Sequence, residues 1–372
     1  MRILIAPDKF AGTMSAGEAA DAIAAGWLRA RPGDTAETLP LADGGPGFVE
    51  VLARAKPGAA LQTVAVTDPL GRRIEAEYLL DGDTAYIESA AACGLHLLGP
   101  GERDPLGATT YGVGLLVSHA VEHGARRVVV GLGGSSTTDA GAGMLTALGC
   151  TFRDAAGRPI AYGGIGLPET ATVEWHPRTR GAEFIAATDV DSPLLGPHGA
   201  AHVFGPQKGA DPRQVAFLEQ AVAHFAGTVE PAAGRTGAVN SPGAGAAGGM
   251  GFALFLLGGT RASGARLTCD AVGLDAKIAA ADLVVTGEGS FDAQSLRGKL
   301  AAEVASGAAA HGKPCLVMAG RSDLAMLPND THPDLVGVHS VTELLGSAKE
   351  AMARPVEGLT ALAEKVAKEW QE

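Results

Sequence analysis

The stretch Val128-Val129-Val130-Gly131-Leu132-Gly133-Gly134-Ser135-Ser136 reads as a strand running into a glycine loop. Three valines in a row carry no polar alternation, so both faces of that strand are expected in the interior. Ahead of it, Thr109 to His123 follows a helical pattern and stops at Gly124. Behind it, a second helix is expected to begin near Asp139. Similar short apolar runs, each closed by Gly or a polar cluster, recur at Ile3 to Ala6, Thr38 to Ala42, Phe184 to Ala187, Leu283 to Val285 and Cys315 to Ala319. A helix from Ala16 to Arg29, after the cap Ser15, falls between the first two. Strands alternating with helices predict an α/β fold built on a parallel sheet covered on both faces.

Thr63 to Val66, Arg73 to Leu79 and Thr84 to Ile87 break this pattern, alternating like hairpin strands around Asp81-Gly82. They mark the opening of a second domain, as the length of 372 residues also suggests. The expected division is 1–62 with 281–372, and 63–280 as an inserted domain. With 29 Lys+Arg against 41 Asp+Glu, the net charge of −12 argues against nucleic acid and anionic membranes as partners. Met1 to Ile5 enters a strand directly, without the basic region of a signal peptide, and the apolar Ala246 to Leu257 is broken by glycines and too short for a bilayer. Cys93, Cys150, Cys269 and Cys315 stand apart in apolar surroundings, which fits a reduced cytoplasm. The glycine-rich run from Ala232 to Gly251 is either flexible or a place where backbone approaches a ligand or another backbone.

The chemistry gathers after the strands, in Pro7-Asp8-Lys9, Asp43-Gly44-Gly45, Gly131 to Ser135, Asp189-Val190-Asp191 and Gly287-Glu288-Gly289. In an open parallel sheet these positions share the carboxyl edge, where ligands bind. The Gly131 to Ser136 loop suits a phosphate cradle or simply tight packing. Its Gly131-x-Gly133-x-x-Ser136 spacing, with Asp154 downstream, matches a dinucleotide fingerprint only in part, and no Walker A motif exists. Lys9, Lys208 and Arg297 are the cations placed to meet an anionic substrate. His119 with His123, and His198 with His202, have metal-ligand spacing but no His-Glu-x-x-His frame.

Ile5-Ala6-Pro7-Asp8-Lys9-Phe10, Pro40-Leu41-Ala42-Asp43-Gly44-Gly45, Gly131-Leu132-Gly133-Gly134-Ser135, Gly205-Pro206-Gln207-Lys208-Gly209 and Thr286-Gly287-Glu288-Gly289 together resemble the bacterial type I glycerate kinases, also called glycerate 2-kinases. The resemblance implies a Rossmann-like domain carrying an inserted α/β domain, and ATP- and Mg²⁺-dependent phosphorylation of D-glycerate to 2-phosphoglycerate. Ala11 stands where many relatives carry Lys, Ala140 where a second Gly is usual, and Thr188 where Cys is frequent. Phosphoryl transfer needs a base, a metal held by carboxylates and donors for the phosphates. On that chemistry Asp189 is expected as the base, with Asp8 as a further catalytic acid or metal ligand. Asp43 and Glu288 are expected on the metal, and Gly133, Gly134, Ser135 and Lys208 on the ATP phosphates. Lys9 and Arg297 are expected on the glycerate carboxylate. Whether the chain works as a monomer or a homodimer is open at this level.

Overall fold

The computed structural model describes residues 1–292, 295, 300–323 and 335–370. Arg297 and Lys299 lie outside them. In chain order the strands are β1 (Arg2–Ile5), β2 (Thr35–Thr38), β3 (Ala60–Thr67), β4 (Arg73–Asp81), β5 (Thr84–Glu88), β6 (Arg127–Gly131), β7 (Thr151–Arg153), β8 (Thr172–Glu174), β9 (Glu183–Ala187), β10 (Thr260–Ala262), β11 (Leu283–Phe291), β12 (Cys315–Ser322) and β13 (Leu335–Ser340). The fold is α/β, and the chain divides into two compact units: Met1–Asp43 with Ala265–Glu372, and Gly44–Gly264.

In the first unit the order is β13-β12-β11-β1-β2, parallel throughout. Alternation along β1 serves two layers at once. Ile3 and Ile5 pack with Ile23 and Trp27 of the helix Ala16–Ala30 and with Leu359 and Leu362 of Pro355–Glu369. Leu4 faces the other way, onto Leu274, Ile278 and Val304. The first helix starts at Ser15 through a capping box, Ser15 Oγ accepting from the Glu18 N–H while the Glu18 carboxylate accepts from the Ser15 N–H. Where the sequence suggests a strand at Thr38 to Ala42, β2 occupies Thr35–Thr38. The segment after it keeps company with the end of β1, Leu39 N–H donating to Ile5 O and Leu41 N–H to Pro7 O. Leu41 and Ala42 are buried, so the apolar signal was real but belonged to the strand's exit.

The second unit has the order β10-β9-β6-β5-β4-β3. The strands β10, β9, β6 and β5 run parallel, and β5, β4 and β3 antiparallel. The hairpin strands therefore extend a parallel sheet. The units meet at 43/44 and 264/265, upstream of the expected 62/63 and 280/281, because the helix Phe48–Ala55 packs on β4 and β5 and belongs with them. Asp154, the candidate ribose acid, instead closes a turn, accepting from the Ala156 and Arg158 N–H groups and pairing with the Arg158 guanidinium.

The glycine-rich run resolves into close backbone packing. The helix Ala246–Leu256 opens with Ala247, Gly248 and Gly249 in the left-handed region. A Cβ on Gly248 would fall 1.9 Å from the Thr137 carbonyl oxygen, so only glycine permits this crossing. The Ala140 N–H donates to Gly248 O at 3.0 Å. Ala140 itself has φ 51°, at a cost of about 1–2 kcal/mol for a residue with a Cβ. No helix among the described residues is long and apolar enough to cross a membrane.

Candidate active site

The first sheet changes direction at one place. From β1 the chain steps to β2 on one side, while β11, β12 and β13 proceed on the other. The carboxyl ends of β1 and β11 thus flank a topological switch point, where an open parallel sheet leaves a crevice. The backbone continues the sheet into that crevice: Ala6 N–H donates to Val285 O at 2.7 Å and Asp8 N–H to Gly287 O at 2.8 Å. Asp8 and Glu288 therefore emerge side by side, and the Leu41–Pro7 bond brings Asp43 alongside them. A cleft of about 500 Å³ opens here, lined by these three acids together with Lys9.

Lys9 is the centre of the charge cluster. Its ammonium donates to Asp43 Oδ1 at 2.9 Å and lies 3.5 Å from Asp8 Oδ1. Burial opposes its charge, but Asp43 and Asp8 outweigh it, so its pKa is raised above the ordinary lysine value. Asp8 is pushed up to about 7, first by burial and then by the Asp43 charge, against the opposing pull of Lys9. Glu288 adds to the same crowding. A carboxyl with a pKa near neutrality beside a charged lysine can exchange a proton around neutral pH.

The other expected site residues lie in the second unit. Gly133 and Gly134 form the partly exposed tip of the loop after β6. Asp189 follows β9, the neighbouring strand, and is half-buried. The rest of the loop turns inward. Leu132, Gly133 and Ser136 N–H groups donate to the carbonyls of Ala187, Gly44 and Cys93. Ser135, Ser136, Thr137, Thr138 and Asp139 are buried. Asp139 accepts from the N–H groups of Thr110, Gly141 and Gly143 and from the Thr109 and Thr110 hydroxyls, and burial raises its pKa in spite of these donors. The helix expected near Asp139 begins at Ala142 and is only six residues long, held at its start by that carboxylate.

Lys208, expected at the ATP phosphates, is 2% exposed. Its ammonium donates to the Thr137 carbonyl at 2.5 Å, and burial lowers its pKa to about 8. The glycines and proline around it fix a short turn that carries this side chain into the interior. Cys93 lies in the same pocket of polar groups, its thiol pushed up to about 12 by burial and so unreactive. The stacked His119 and His123 rings are occupied locally, His119 Nδ1 with the Tyr78 hydroxyl and His123 Nδ1 with His119 O.

Arg321 was missed by the sequence reading, although it lines the same cleft as Asp8 and reaches the Ser290 hydroxyl at 3.3 Å. The signal was available: β12 was read to Ala319, and the residues after it, Gly320-Arg321, occupy the position that yielded Asp8 and Glu288 on the neighbouring strands.

A parallel α/β sheet with carboxylates and a charged lysine at its switch point has the layout of an enzyme site at the sheet's carboxyl edge. Comparison with known proteins narrows the class. The glycerate kinase family model matches residues 3–371. Glycerate kinase of Bacillus subtilis is 43% identical over 326 residues, covering 86% of this chain and 85% of the relative. Glycerate 2-kinase of Escherichia coli K12 is 41% identical over the same length, with the same coverage. A crystal structure from Salmonella typhimurium LT2, described provisionally as glycerate kinase 2, superposes with a TM-score of 0.76 at 39% identity, covering 99% of this chain and 97% of that one. The chain belongs to the glycerate kinase family, and is a phosphotransferase.

Proposed function

We propose that this protein transfers the terminal phosphoryl group of ATP to the 2-hydroxyl of D-glycerate, giving 2-phosphoglycerate and ADP. The observation that carries the reading is the Asp8–Lys9–Asp43–Glu288 cluster at the β1/β11 switch point. The names of the relatives support it. Among the described residues no group of three or more His, Cys, Asp or Glu forms a ready cage for a metal. Mg²⁺ does not require one, since it usually takes one or two carboxylates and completes its shell with phosphate oxygens and water. The crowded negative charge of Asp43 and Glu288 beside Asp8 fits such an ion, which would neutralise charge on the phosphates.

Asp8 is the base in this reading, because its pKa near neutrality matches the task. Lys9 holds the glycerate carboxylate. In the second unit Gly134 is the exposed tip of its loop and is the one of the two glycines left to meet an anion, since the Gly133 N–H is donated to Gly44 O; Asp189 stays a candidate site acid, and Ser135 and Lys208 are held inside.

The separation between Lys9 and Asp8 sets the regiochemistry. A carboxylate anchored on Lys9 Nζ, 3.5 Å from Asp8 Oδ1, brings the adjacent C2 hydroxyl within reach of that oxygen, while the C3 hydroxyl lies one rotatable bond further off. Phosphorus NMR of the product, with enolase coupling in the absence of mutase, is expected to show 2-phosphoglycerate. Predominant 3-phosphoglycerate would remove Lys9 from the carboxylate, and no phosphorylated glycerate at all would remove the function.

A further inference from the structure

The cleft that holds the charge cluster is far larger than a three-carbon acid needs, and its two ends differ in chemistry. At one end stand Asp8, Lys9, Asp43 and Glu288. At the other, beyond β12 and β13, the lining is Val341, Ala348, Ala351, Met352 and Pro355. Met352 is 67% exposed, so its thioether stands at the open rim of this end. Between the ends lie Gly289, Ser290, Gly320, Arg321 and Thr342. Gly289 and Gly320 are neighbours on the paired strands β11 and β12, and a Cβ on Gly320 would fall 2.6 Å from Gly289 O, so the floor there is bare main chain.

The dimensions point to a ligand. From the end of β1 to the end of β13 is three interstrand steps, about 14 Å at roughly 4.8 Å each. A nucleoside triphosphate spans a comparable distance between its γ-phosphate and its base. Resting on the phosphotransferase reading of the charged end, we infer that the apolar end, formed by Val341, Ala348, Ala351 and Met352, receives the base of the donor nucleotide, with Arg321 on the intervening phosphates. A flat aromatic base suits an apolar wall with a flexible thioether at its rim, since sulfur packs favourably against aromatic rings. Arg321, already hydrogen-bonded to Ser290 over the glycine floor, presents a cation where the phosphate chain must cross.

The test uses two substitutions at exposed positions, Met352→Glu and Ala348→Trp, in the full chain. The first sets a carboxylate at the rim and the second fills the apolar end. In both, KM for ATP is expected to rise about tenfold or more, the scale of a mismatched apolar pocket, relative to any change in KM for D-glycerate. Direct titration with ADP should weaken in parallel, while titration with inorganic tripolyphosphate, which has no base, should not. Unchanged KM for ATP in both variants with the wild-type melting temperature, or equal weakening of ADP and tripolyphosphate, would overturn the inference. Failure of the underlying function looks different: the wild-type protein itself would then show no glycerate-dependent release of ADP.

Discussion

Asp8→Asn is expected to lower glycerate-dependent turnover by about 10²–10⁴-fold, the usual cost of removing a positioned general base. Asparagine keeps the shape and the acceptor for the Lys9 N–H, which Asp8 Oδ1 binds at 2.7 Å, but cannot take a proton. The same substitution has an opposite effect on stability in the free protein. With its pKa raised from the ordinary value to about 7, Asp8 binds its proton more tightly folded than unfolded. Its contribution is complete below about pH 4 and is lost as pH rises through 7. Asp8→Asn does not pass through that loss, so its melting temperature should gain on the wild type between pH 5 and pH 8. A variant that loses activity while becoming the more stable at alkaline pH would mark Asp8 as a functional group held at the expense of the fold. Turnover within about threefold of wild type would contradict the assignment.

Asp139→Ala is expected to destabilise the protein by about 3–5 kcal/mol, the range for leaving several buried donors without their acceptor. Five donors converge on this carboxylate from Thr109, Thr110, Gly141 and Gly143, all buried. Alanine would leave them without water or a partner. For a unit of this size the melting temperature should fall on the order of 10 °C. Thermal unfolding followed by circular dichroism reads it directly. A fall of only about 2 °C would mean that the loop after β6 is not tied down by Asp139.

Much of the fold was legible because strands buried on both faces admit only apolar residues. Ile3 to Ala6, Val128 to Val130, Phe184 to Ala187, Leu283 to Val285 and Cys315 to Ala319 all contain or overlap a strand. The capping box at Ser15 was legible for a different reason, since its bonds are local and need no tertiary context. By contrast β2, an edge strand reading Thr35-Ala36-Glu37-Thr38, is largely exposed and has no hydrophobic signature. Its pairing is dictated by β1, which a local reading cannot see. Within the candidate site, acids after strands pointed to Asp8, Asp43 and Glu288, which line one cleft. Lys208 was harder to read: a rigid Gly-Pro frame around a lysine looks the same whether it presents the ammonium outward or, as here, carries it onto the Thr137 carbonyl. Burial of a charge depends on what packs over it, and the residues that do so, Cys93 and Asp139 among them, are distant in sequence.

Transfer of a phosphoryl group from ATP to D-glycerate, the proposed reaction, is measured most directly as the initial rate of ADP release by the purified full chain in Mg·ATP, with and without D-glycerate. The rate is expected to be near background without D-glycerate, to rise and saturate with it, and to be lost when EDTA removes the divalent ion. ADP release indifferent to D-glycerate, or none under any of these conditions, would contradict that reaction.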